Sequence, residues 1–175
     1  MMTDAEIGRG VFHLWAESAR ARPSRLREWY IHGDPPDPGR VTGECSALEW
    51  AARDFAIFAV AGRTSHYDAI RSARDAEFAR LKASDPADQT KARGLINDAM
   101  DRYGPIFKRR PTEKGGDWLI EVGTVFARAA GDEGGTTLML GTAVYHAAFM
   151  STMEFVRSGL QKPRRPWWKR ILKLQ

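Results

Sequence analysis

The first candidates for acid, base or metal chemistry in this chain are its four histidines, His13, His32, His66 and His146. A transition-metal site needs ligands at converging spacings such as H-E-x-x-H, E-x-x-H or C-x-x-C, and none of these occurs. No metal and no cofactor is therefore expected. His66 and Asp68 stand too close along a helix to share a face, and His146, followed by Ala147, Ala148 and Phe149, reads as a satisfied core residue. Cys45 is the only cysteine, which excludes an internal disulfide, and nothing around it resembles a nucleophile's setting. Serine chemistry has no foothold, because neither G-x-S-x-G nor S-x-x-K is present. The stretch GDEGGTT at 131–137 has the look of an anion cradle at a helix start, but it lacks a P-loop lysine and reads as a turn between helices. Glu44, Glu49, Asp54, Asp75 and Glu77 have basic neighbours and are expected on solvated helix faces. If a small-molecule pocket exists, His66, Tyr67, Tyr145 and His146 are the polar and aromatic groups expected to line it among the core helices.

The segment PRRPWWKRILKLQ at 163–175 carries a different kind of chemistry. At 100° per residue, Trp167, Trp168, Ile171, Leu172 and Leu174 fall within an arc of about 160°, and Lys169, Arg170 and Lys173 fill the rest. Arg164 and Arg165 add charge at its start, and a proline on either side of them uncouples the segment from what precedes it. Tryptophan favours the headgroup level of a bilayer, and cations there gain from anionic lipid. Nine residues are too few to hold a helix alone in water, so the segment needs a surface: the body of the protein, an anionic membrane, or a groove on a partner protein.

The elements that must position these groups read as helices. Ile7, Val11, Leu14 and Trp15 recur at helical spacing over residues 4–20, and Pro23 then marks the start of a short second helix through Leu26, Trp29 and Tyr30. The prolines and glycines of HGDPPDPGR at 32–40 interrupt regular structure. Ser46 and Glu49 form S-x-x-E, which predicts a capping box with Cys45 and Trp50 as its hydrophobic staple, and a long helix from there to about Lys82. Its first half, LEWAARDFAIFAVAG, is apolar nearly all round and belongs in the core, with Gly62 marking a bend. Its second half keeps a stripe of Tyr67, Ile70, Phe78 and Leu81, expected to pack on the body or else to serve a homo-oligomer.

Ser84, Asp85 and Pro86 signal the next helix, whose face is Leu95, Ile96, Met100, Tyr103, Ile106 and Phe107, with Gly104-Pro105 kinking or ending it. Asp117 is placed to cap a helix through Trp118, Val122, Val125 and Ala129, closed by Gly131, and a last long helix runs from about Thr136 to Gly159. WLIEVGTVF and TTLMLGTAVY also read as two strands, so an α+β fold with a hairpin at 118–145 is the competing architecture. From Gly134 to Met153 no residue is charged unless His146 is protonated, long enough for a membrane span. Its glycines, threonines and histidine instead favour a core helix.

The expected fold is thus all-α: a single helical domain at 1–161, a bundle of about five to six helices, followed by a basic tryptophan-rich tail at 162–175. The net charge of +5 belongs to that tail. Six of the 27 cations lie between Lys162 and Gln175, where there is no acid, and the other 21 face 22 acids. A nucleic-acid-binding domain spreads its cations over a face, so nucleic acid is not the expected partner. The lone cysteine and the absence of a long apolar run in MMTDAEIGRG point to a cytoplasmic setting, and 20 arginines against 7 lysines to a GC-rich bacterial source. The functional expectation is a non-enzymatic adaptor or accessory protein, docked by its tail on the inner face of a membrane or a membrane-associated complex. A small enzyme or ligand-binding domain is the alternative.

Overall fold

The computed structural model describes residues 1–31, 35, 37–81, 86–109, 117–132 and 134–161. Six helices account for them: α1 (Asp4–Trp29), α2 (Pro38–Ala61), α3 (Ser65–Leu81), α4 (Pro86–Arg109), α5 (Asp117–Ala130) and α6 (Gly135–Leu160). Among the described residues there is no strand, so the fold is all-α and the hairpin at 118–145 is replaced by the helical pair α5 and α6. No described helix is long and apolar enough to cross a membrane. The tail at 162–175, with every residue predicted there to dock, lies outside the described residues.

Helix α2 is the axis of the bundle and packs on each of the other five. Its alanines make that possible: Ala47, Ala51, Ala52 and Ala56 are buried and keep neighbouring backbones close. The principal core gathers α2, α4, α5 and α6 around Leu48, Tyr103, Phe107, Phe126, Tyr145 and Phe149. Two smaller clusters close the other side. Ile7, Val11, Ile57, Ile70 and Val156 form one, and Phe12, Trp50 and Phe78 the other, with Trp15 set edge-on to Trp50 at 5.3 Å. Of the stripe on α3, Ile70 and Phe78 are consumed by these clusters, while Leu81 stays exposed.

Several predicted boundaries shift. Pro23 does not begin a helix but sits inside α1, which runs through it. A proline costs one backbone hydrogen bond, and buried Arg22 and Leu26 hold the two halves in line. The capping box at Ser46 is also overturned: α2 begins eight residues earlier, where Asp37 accepts from the Arg40 N–H at 2.9 Å and Pro38 occupies the first turn. Ser46 and Glu49 are interior residues of α2 that face α1.

The long helix to Lys82 is two helices, because Gly62 takes φ +64° and its N–H caps the Phe58 carbonyl at 2.8 Å. Conversely, Gly104-Pro105 leaves α4 unbroken to Arg109. Ser84 and Asp85 lie outside the described residues. The α5–α6 turn is closed by Gly131 at φ +78°. These two helices approach so closely that a Cβ on Gly123 would stand 2.5 Å from the Leu138 carbonyl oxygen.

Candidate functional site

Four of the five charged side chains of helix α2 are buried, Glu44, Glu49, Arg53 and Asp54, and only Arg40 in its first turn is exposed. The three acids were expected in solvent, and the reason they are not is that the middle of α2, from Glu44 to Asp54, has no exposed residue. At 100° per residue, Glu49 and Arg53 point within about 40° of each other, while Glu44 and Asp54 point elsewhere. Each direction therefore meets a different neighbouring helix.

Towards α4, Glu44 accepts from Arg102 Nη2 at 2.8 Å and from the Tyr103 hydroxyl at 2.7 Å. Burial and the adjacent carboxylate push the Tyr103 phenol up. Towards α3, Asp54 pairs with Arg74 Nη2 at 2.9 Å and Arg71 Nε at 3.3 Å, and accepts from the Tyr67 hydroxyl at 3.0 Å. Arg74, 1% exposed, also pairs with Asp75 at 2.8 Å and lies 4.4 Å over the Trp50 ring. These two groups are neutralised salt-bridge clusters.

The third direction differs. Towards α1, Glu49 accepts from Ser18 Oγ at 2.9 Å and from Arg22 Nη2 at 3.1 Å, and Arg22 Nη1 donates to Ser46 Oγ at 2.6 Å. Glu49 is thereby committed to Arg22. Arg53, 4% exposed, has only neutral partners: Nη1 donates to Thr152 Oγ1 at 2.7 Å and Nη2 to the Leu14 carbonyl at 3.2 Å. Among the described residues no carboxylate lies within 4 Å of it, and the Nε of both Arg53 and Arg22 has no hydrogen-bond partner. Burial holds Arg53 down to about 10, so it is still a cation at neutral pH.

Above this floor a cleft of about 520 Å³ opens between α1 and α6. Leu14, Ala21 and Trp29 form one wall, and Leu140, Val144 and Ala147 the other. Arg22, Glu49 and Arg53 lie at its base beside Cys45, and exposed Arg25 and Glu17 reach its rim. The charges sum to one net positive, and the walls are apolar. That combination suits an anion carrying an apolar body, within the usual size range of small-molecule sites.

The residues predicted for a pocket are not brought together. His66 is exposed, with Nδ1 at 2.9 Å from Asp4 Oδ1. Tyr67 lines a separate groove of about 910 Å³ with Phe58, Met100 and Phe107. Tyr145 is core, its ring 5.0 Å from Phe107 and 5.3 Å from Trp118. His146, expected in the core, is exposed, because it falls on the side of α6 turned away from Tyr145. Neither Tyr145 nor His146 lines the cleft or the groove. Among the described residues no group of three His, Cys, Asp or Glu side chains could hold a metal ion.

The residues that sequence reasoning missed are Arg22 and Arg53. A signal for them exists: four charges embedded in a helix that is otherwise apolar on every side must find partners inside the protein. Comparisons of the chain with protein-family models, with curated proteins and with solved structures found no match.

Proposed function

We propose that the protein is a helical binding domain that holds one small anionic molecule in the cleft between α1, α2 and α6. The observation that carries this reading is Arg53: a buried guanidinium with no carboxylate partner, at the base of a cleft with apolar walls. Burying a cation costs several kcal/mol when nothing of opposite charge compensates it, and an anionic ligand supplies that compensation. Binding fits the cleft better than catalysis does. Among the described residues no histidine lines it, the Cys45 thiol is pushed up to about 12 by burial, and Ser18 donates to a carboxylate already engaged by Arg22.

Native mass spectrometry of the purified full chain and of Arg53→Met tests this. The wild type should carry or acquire one small-acid adduct per chain that the variant lacks. Identical spectra, with no adduct acquired from a panel of organic acids, would remove the reading.

The tail supports a second reading, attachment to an anionic membrane surface, because six cations without an acid accompany its two tryptophans while the rest of the chain is near neutral. Replacing Trp167 and Trp168 by alanine should then abolish most co-sedimentation with anionic liposomes. Unchanged pelleting would sink that idea.

A further inference from the structure

We infer that the molecule taken by the cleft is a monocarboxylate with an apolar body, such as a medium-chain fatty acid or an arylalkanoate; this rests on the binding reading above. The first argument is charge. Arg22 and Arg53 bring two cations to the floor and Glu49 one anion, all three buried, while Arg25 and Glu17 at the rim offset each other. A monoanion brings the floor to neutrality. A phosphate monoester, at close to two negative charges, would leave a net negative charge out of water, at a cost like that of any unpaired buried ion.

The second argument is the number of donors. A carboxylate has two oxygens and can take parallel N–H bonds from one guanidinium, whereas a phosphate presents three and is met by clusters of donors. Here one guanidinium, Arg53, lacks a carboxylate, and its existing acceptors are two side-chain hydroxyls and one carbonyl, weaker partners that a carboxylate can displace.

The third argument is the shape and chemistry of the walls. Ala21, Ala143, Ala147 and Ala148 leave space between α1 and α6 where larger side chains would meet, and Leu140, Val144 and Trp29 supply apolar contact. Ser151, beside the floor, already donates to the Ala147 carbonyl at 2.8 Å. The walls thus favour a ligand body of hydrocarbon over a sugar or a nucleoside.

Isothermal titration calorimetry of the full chain with octanoate, octyl phosphate, octyltrimethylammonium, 3-phenylpropanoate and phenylalanine separates the possibilities. Saturable one-to-one binding of octanoate or 3-phenylpropanoate is expected. Both Arg53→Met and the cleft-filling Ala147→Trp, at an exposed wall position, should weaken it by about tenfold or more. Tighter binding of octyl phosphate, still lost in Arg53→Met, would overturn the carboxylate assignment and leave the anion site standing. Phenylalanine binding better than 3-phenylpropanoate would overturn it too, by assigning Glu17 an ammonium. Equal binding of octyltrimethylammonium, or no binding of any acid, would overturn both the assignment and the site.

Discussion

Arg53 on α2 and Arg74 on α3 are both buried, 4% and 1% exposed, yet their surroundings treat them in opposite ways. Arg74 is met by two carboxylates, Asp54 and Asp75, and by the face of Trp50. Arg53 is met by Thr152, Ser151 and a backbone carbonyl. The first arrangement is closed in charge: two carboxylates and the Trp50 ring answer the guanidinium inside the protein, although its Nη1 has no hydrogen-bond partner, so its removal can only damage the fold. The second leaves one positive charge unanswered beside a cleft. A buried arginine is thus informative about function only once its counter-charge has been sought and found missing.

That contrast can be broken by stability measurements. Arg74→Met should have the larger effect, lowering unfolding free energy by about 3–5 kcal/mol, because it leaves buried Asp54 with half-exposed Arg71 and a tyrosine hydroxyl. Urea titration at neutral pH reads this directly. Arg53→Met should have the smaller effect, within about 1 kcal/mol of the wild type, since it removes an uncompensated charge and leaves Arg22 and Glu49 paired. If the two variants lose the same stability, Arg53 is a structural tie between α1 and α6 and the contrast fails.

The sequence carried the fold further than it carried the site. Ile7 and Val11, or Met100, Tyr103 and Phe107, recur at helical spacing, and periodicity alone is enough to recover their helices. Boundaries were misread where a local signal had another purpose. Ser46 and Glu49 have capping-box spacing because both bond Arg22 of α1 from inside α2, while the cap that operates, Asp37 before Pro38, was hidden in a stretch crowded with prolines. The acids of α2 were misplaced for a related reason. Their neighbours in sequence are basic, but their partners, Arg22, Arg74 and Arg102, come from three other helices, and periodicity reports which face is apolar without reporting what a charge on that face will meet.

Cys45 lies under the cleft, 1% exposed, with its thiol pushed up to about 12 by burial. As the one sulfhydryl in the chain, it is a natural clock for the opening of the bundle. A thiol-reactive probe can modify it only in molecules that have parted α1 and α6 from α2, so the labelling rate follows the population of opened chains. A molecule seated in the cleft would hold those helices together and slow that clock in proportion to its occupancy. The protein therefore carries its own label-free-in-the-native-state reporter of occupancy, placed by the same packing that buries the cation.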